Sequence, residues 1–453
     1  MVAAASAPDL LQLCQAAVEA ARKAGADEAE AYAEHDSVVS ARAEQNDLVG
    51  AESEESIQLG LRVMVKGAVG FCALNRGDEA AITEAARSAV SLARASNGGD
   101  DTLPDPRPIP TLRGLDDPGM SAGTVELAVE RCHALLTAAR GVDPRVSIDG
   151  AEVQFAAGAR AVVSTRGVRA EERGTAASAS VFGMAVDGDD VSGFDHEVAA
   201  VRALRELPGS EPGKLLGEKL LRLLGARPYD GPATPLLLFS PEALEEILLE
   251  PLFASMDGDA VRRGRSQLAG KLGQSVADAR LSVLDDPTVD GDVASEAFDR
   301  EGLGHVRTPL LDRGVLRTFL HNAQSARRMG QTPTGHASGD ARSVPGIDVT
   351  RIDVSAGDAR VSDLVAEVGE GIYVGRFAGS VDEVSGDFSG VVKSSFRIRA
   401  GQQAEALRET LISGNAFDLL QRICGVSVER KILPGRLLPH VLTRGATVTG
   451  GGD

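Results

Sequence analysis

The stretch from Pro235 to Asp286 constrains this chain most. It opens on an apolar run, Pro235 to Phe239, that reads as a strand. A helix start follows at once: a serine hydroxyl at Ser240 can cap free N–H groups, and Pro241 suits the first helical turn. Ala243, Leu244, Ile247, Leu248 and Leu252 then recur at helical spacing, which gives one buried face. Pro251 falls inside that pattern, where its missing N–H predicts a kink or an early end.

A chain of 453 residues exceeds one ordinary core, so two or three domains are expected. Hydrophobic content of 43% with 25% charged residues is that of a soluble globular protein, and no window approaches the roughly 18 unbroken apolar residues of a membrane span. The opening MVAAASAPDLLQLC has no basic segment before an apolar one, so no signal peptide is expected. Cys14, Cys72, Cys132 and Cys424 stand alone, as reduced thiols in a cytoplasmic protein would. A net charge of -19 argues against a nucleic-acid surface, which needs a basic stripe to displace counterions. The absence of Trp argues against base-stacking platforms.

In chain order, an amphipathic helix is expected from Pro8 to Lys23, stopped by Gly25. Strands follow at Ala29 to Glu34 and Val38 to Glu44, parted by a turn at Asp36-Ser37. Ile57 to Val65 and Ala68 to Phe71 read as a hairpin over Lys66-Gly67, and a second helix runs from Asp78 to about Ala95. Residues 97–111 are rich in Pro, Gly and Asp and read as an extended linker or surface strap, a sub-boundary near 97–116. A third helix is expected from Thr124 to Ala139, then short strands at Val146 to Phe155, Ala161 to Ser164 and Ala176 to Ala185. A fourth helix, Gly213 to Leu224, leads into the linker from Gly225 to Ala233. The remainder is mostly strand and turn, with a last short helix from Ala416 to Ile423. The fold class predicted is α+β: an N-terminal helix and antiparallel-strand domain, residues 1–228, then a larger, mostly antiparallel β domain, residues 232–453.

Short motifs punctuate this order: Arg62-Val63 before the Gly67 turn, Ser164-Thr165-Arg166-Gly167, Gly258-Asp259-Ala260-Val261-Arg262-Arg263-Gly264-Arg265-Ser266, Gly270-Lys271-Leu272-Gly273, Asp299-Arg300-Glu301-Gly302, Ser385-Gly386-Asp387-Phe388-Ser389 and Ser413-Gly414-Asn415. As a set they resemble the TldD/PmbA family over nearly the whole chain. Catalytic members of that family carry H-E-x-x-x-H about ten residues before the Gly-Asp step. Here the first histidine position is Leu249, the glutamate is Glu250 and the second histidine position is Ala254. Zinc takes nitrogen, sulfur or carboxylate ligands, and Leu249 and Ala254 offer no lone pair. Without a metal-bound water, Glu250 has nothing to activate and reads as an exposed helix or interface residue. The resemblance is therefore to the PmbA (TldE) side of the family, with no metal in this chain.

The histidines at 35, 133, 196, 305, 321, 336 and 440 form no compact ligand spacing. His321 and His336 can meet across a loop, but core or solvated histidines account for them better. The family's further zinc ligand is a cysteine well after the Gly-Asn helix; Cys424 follows that helix directly and reads as a small buried hydrophobe. The glycine-rich loops at 335–339 and 386–390 lack the strand-glycine-helix order of a phosphate cradle and read as tight turns. Ser385, Gly386, Asp387, Phe388 and Ser389 are a candidate for holding an extended peptide by strand addition. Arg262, Arg263 and Arg265 form a solvated basic face or a surface toward an acidic partner.

The resemblance implies the non-catalytic subunit of a TldD/TldE-type heterodimeric zinc metallopeptidase. It implies a partner that carries H-E-x-x-x-H and the zinc, unfolded peptides as substrate, and peptide natural-product maturation or degradation of short proteins as the task. The family has also been called a modulator of DNA gyrase, a label that the charge does not support. Two other readings stay open: a homodimeric peptide-binding or regulatory protein, and a hydrolase with a metal site built from Asp285, Asp286, Asp299 and Glu301.

Overall fold

A computed structural model describes residues 9–96 and 98–451; Pro8 and Asn97, where two of the expected segments begin, lie outside the described residues, as do 452 and 453. The N-terminal unit is built on long strands. Helix α1 (Leu10–Ala24) starts where the Asp9 carboxylate accepts from the Gln12 N–H at 2.9 Å, and it stops at Gly25, whose φ of 102° suits glycine. Strands β1 (Glu28–Glu44), β2 (Asp47–Val65) and β3 (Ala68–Leu74) follow, then α2 (Glu79–Ala95) and α3 (Val125–Val142), capped by Asp78 and Thr124. β4 (Val146–Ser164), β5 (Arg169–Asp187), β6 (Asp190–Val191), β7 (Asp195–Val201) and α4 (Glu211–Leu221) complete it. The sheet is antiparallel in the order β3-β2-β1-β4-β5, with β7 beside β5.

Two expected breaks are absent. β1 passes through Asp36-Ser37, and β4 joins the two segments predicted at Val146 to Phe155 and Ala161 to Ser164. Asp36 points to the open face and Ser37 inward, so neither interrupts pairing with Ser56 and Gly158 or Glu55 and Ala157. At about 3.3 Å per residue, the 19-residue strands span roughly 60 Å. One face of this sheet carries both helix pairs. α1 and α2 cover Ala29, Ala31, Ala33, Leu59, Leu61 and Val63; α3 and α4 cover Val39, Ala41, Val153, Phe155 and Val181. Gly213 is required there: a Cβ would stand 2.2 Å from the Leu135 carbonyl oxygen, so only glycine lets α4 lie against α3.

The C-terminal unit is centred on β8 (Leu236–Phe239), whose Leu237, Leu238 and Phe239 are fully buried. β8 lies between Gly371–Val374, to which it is parallel, and Arg436–Arg444, to which it is antiparallel. This large sheet has one further parallel pair, Ile352–Val354 with Arg436–Arg444; its other pairings are antiparallel. A second, four-stranded antiparallel sheet joins Arg376–Val381, Asp387–Lys393, Thr410–Asn415 and Thr447–Gly450. After β8 the chain enters the central helix, 241–256. The Ser240 hydroxyl accepts from the Ala243 N–H and donates to the Gly375 carbonyl, tying the helix start to the neighbouring strand.

Pro251 does not end this helix. One wide turn, Glu245–Leu249, precedes it, and the Glu250 N–H donates to the Glu245 carbonyl five residues back. Pro251 has no N–H to offer and its ring crowds the carbonyl four residues earlier, so the helix widens there instead of breaking. Among the described residues no helix is long and apolar enough to cross a membrane.

Buried charge joins the two units. The Arg62 guanidinium, on β2, donates to Glu30 of β1 at 2.7 Å and to Glu301 at 2.8 Å, while Arg300 meets Glu30 at 3.2 Å and stacks 3.9 Å over the Tyr32 ring. Burial works against the Arg62 charge, but Glu30 and Glu301 more than offset it and raise its pKa. Asp299 accepts the N–H groups of Glu301, Leu303 and Ala337, and burial together with Glu301 holds its carboxyl above the ordinary range. Beside the network, Phe298 packs with Tyr32, Val162 and Ala341 under the Arg160 guanidinium. The segment after α2 is a strap: Asp101 bonds Gln324 and Arg328, Arg107 donates to the Gly304 carbonyl, and Arg113 bonds Asp290.

Candidate functional site

The central helix places a cleft of about 510 Å³ against the second sheet, walled by Glu250, Phe253, Ala254, Asp257, Arg265, Asp348, Glu383 and Arg436. Leu249 is the last residue of the wide turn, and Ala254 lies in the α-helical segment Glu250–Met256. Leu249 is fully buried in the core, whereas Glu250 is exposed and Ala254 half-buried at the cleft. The partial burial of Glu250, with Glu245 and Glu383 nearby, pushes its carboxyl up. A second trough of about 370 Å³ shares Glu250 and adds Glu242, Glu245, Glu246, Glu197 and Lys431.

These residues do not fit a zinc ion. Leucine and alanine stand at the two ligand positions, and among the described residues no three His, Cys, Asp or Glu side chains are grouped to hold a metal. The four carboxylates considered for another metal site are engaged separately. Asp285 accepts from the Thr350 and Arg351 N–H groups and meets His336 at 3.3 Å; Asp286 holds Thr288; Asp299 and Glu301 belong to the inter-unit network.

His321 and His336 share Thr334, whose hydroxyl accepts from the His321 N–H at 2.8 Å and meets His336 Nδ1 at 2.9 Å. Both are buried. His321 Nδ1 lies 2.8 Å from the Ser325 hydroxyl, and Gly258 faces the ring so closely that a Cβ there would sit 2.2 Å away. Burial, then His336, lowers the His321 pKa. The unfolded chain therefore takes up this proton below about pH 6.5 while the folded chain resists it, so His321 costs stability as the pH falls. Histidine-resolved NMR should show His321 titrating below about 6.5, and His321→Gln should flatten the decline in unfolding free energy between about pH 6.5 and 5.

The 385–389 segment has a different part from strand addition. Asp387–Lys393 is paired with Arg376–Val381 on one side and Thr410–Asn415 on the other, so Phe388 and Ser389 have no free backbone edge. Ser385 and Gly386 form the turn before it: Asp382 accepts from the Val384 and Ser385 N–H groups, and Asn415 donates to the Ser385 carbonyl. Phe388 is buried edge-on against Phe377, leaving the side chains of Asp387 and Ser389 exposed. The motif thus builds the turn that sets Glu383 and Val384 at the cleft mouth. In the basic cluster, Arg262 and Arg263 are both bound to Asp259 at 2.7 Å, while Arg265 lines the cleft. Cys424 is half-buried, its thiol donating to the Leu442 carbonyl.

Sequence reasoning missed Asp348, Glu383, Arg436 and Asp257 as cleft residues. Only Asp257 had a local signal, as the aspartate that caps Gly258–Arg262. The others reach the cleft from three distant strands and turns.

Fold and cleft together define a two-unit α+β scaffold whose central helix, 241–256, carries neither histidine nor cysteine. Three family descriptions match the chain in order: PmbA/TldA metallopeptidase domain 1 at residues 29–93, the central domain at 124–226 and the C-terminal domain at 234–450. The chain belongs to the PmbA/TldD metallopeptidase family. It is 30% identical over 253 residues to a metalloprotease of Methanothermobacter thermautotrophicus, a match spanning 53% of this chain and about half, 55%, of that relative. It is 24% identical over 430 residues to the metalloprotease PmbA homolog of Haemophilus influenzae, covering 92% of this chain and 91% of the relative. The crystal structure of TldE from Thermococcus kodakarensis has the same fold, with a TM-score of 0.88 over 97% of this chain and 100% of that one, at 20% identity.

Proposed function

We propose that this chain is the non-catalytic subunit of a two-chain zinc metallopeptidase acting on unfolded peptides. The observation that carries the reading is the central helix: Leu249 turned into the core and Ala254 at the cleft leave no ligand set where catalytic relatives bind metal. The zinc and its histidines belong to an H-E-x-x-x-H partner. This chain contributes the opposing wall, its cleft and trough lined by Glu242, Glu245, Glu246, Glu250 and Glu383. The likeness to TldE in fold supports that side of the pair. Maturation of peptide natural products or removal of short unstructured proteins is the corresponding task. All four cysteines are free, in keeping with a cytoplasmic setting.

The test compares the lone chain with the chain co-expressed beside an H-E-x-x-x-H partner, on an unfolded peptide. Expected are activity in the pair only and about one zinc per two chains. Activity from the lone chain, abolished by chelation, would overturn the reading. A stable homodimer that binds peptide and ignores the partner would replace it with a binding role.

A further inference from the structure

β2 is paired on both sides for only part of its length. β1 runs beside it from Asp47 to Met64, whereas β3 meets it only from Leu59 to Val65. Residues 47–58 therefore form an open edge. Among the described residues, none of their backbone groups bonds outside the pairing with β1. In an antiparallel pair alternate residues aim their N–H and C=O away from the partner, so beyond the bulge at Val49 this edge presents a row of unmet donors and acceptors from Gly50 to Gln58.

Exposed edges are normally blunted by charged side chains, lysine above all, by proline, by a bulge such as the one at Val49, or by a covering loop. Here there is neither proline nor lysine, and no basic residue occurs between Arg42 and Arg62. The edge is acidic instead, with Asp47, Glu52, Glu54 and Glu55. Glu52 leans on Arg42 at 3.5 Å and Glu55 on His35 at 2.8 Å, while Asp47 and Glu54 make no ion pair among the described residues. Leu48 and Val49 are exposed beside them. A second copy is a poor occupant, because edge-to-edge pairing would bring four carboxylates from each chain together. A cationic strand meets complementary charge and an apolar foothold.

We propose that the 47–58 edge of β2 docks an extended, lysine- or arginine-rich peptide, which adds to the sheet as a further strand. Main-chain hydrogen bonds hold it, and the four carboxylates select its charge. The inference goes beyond the paired-subunit reading and is tested on the lone chain, so failure of either leaves the other standing.

The experiment titrates the full chain with a fluorescent decapeptide of alternating Lys and Val, read by anisotropy, beside its Glu-Val analogue. Two further analogues carry N-methyl groups on one or the other set of alternate residues. The Lys-Val peptide should bind saturably and the Glu-Val peptide should not. One N-methylated series should bind about tenfold more weakly and the other unchanged, because only one edge of the incoming strand is paired. Glu52→Lys/Glu54→Lys, both at exposed positions, should weaken binding by about tenfold, and added salt should weaken the wild type. Absent binding, equal binding of both N-methylated series, or binding indifferent to the charge reversal would each overturn the proposal. The N-methylation result stands whether or not the charge-reversed chain folds.

Discussion

Arg62→Ala should lower the unfolding free energy by about 3–5 kcal/mol, read from the urea midpoint at neutral pH. The guanidinium is buried between Glu30 and Glu301, and its loss leaves Glu301 in a dry site without a cation and Glu30 with Arg300 alone. The cost comes from stranding charge, not from the worth of the pair itself. Replacing Arg62 and Glu301 together, as Arg62→Met/Glu301→Gln, leaves Glu30 paired with Arg300 and should therefore recover most of the loss. Arg62→Lys should recover only part, because one ammonium cannot reproduce a guanidinium that reaches both carboxylates. A loss below about 1 kcal/mol for Arg62→Ala would mean that water or protons reach Glu30 and Glu301 easily, and that the network does not clamp the units.

Phe239→Ala is expected to be as costly, about 3–5 kcal/mol by the same measurement. Phe239 is fully buried at the end of β8, between Val374 and Val441, and hands the chain to the central helix. Its removal leaves a cavity in the buried cluster that it shares with Leu244 and Leu248, between strands that cannot collapse to fill it. The denaturant slope should stay unchanged, because the folded state keeps its extent. The two substitutions share no partner, so their costs should add within about 0.5 kcal/mol.

Much of the local structure is legible in the residues. Asp78 and Thr124 mark helix starts by their caps, and Gly25 marks a stop, because those signals act within a few residues. The strand from Leu236 to Phe239 and its Ser240-Pro241 junction are equally local. Asp36-Ser37 misled because a polar pair in a strand resembles a turn unless the partners on both sides are known; Ser56 and Gly158 decide it. The segment at 385–389 looked like a peptide clamp by its composition. Its pairing on both flanks removes that use, while the free edge lies some 330 residues earlier in β2.

The chain alone determined where helices begin and end, which faces are apolar, and that Leu249 and Ala254 cannot ligate a metal, since these depend on residue chemistry and short spacing. Tertiary structure decided the rest. Glu30, Arg62, Arg300 and Glu301 form one network across up to 271 positions, and Glu250, Asp348, Glu383 and Arg436 share one cleft. Nothing in local sequence marks either group, because burying a charge beside its counter-charge rewards a meeting in space and leaves no period or spacing along the chain.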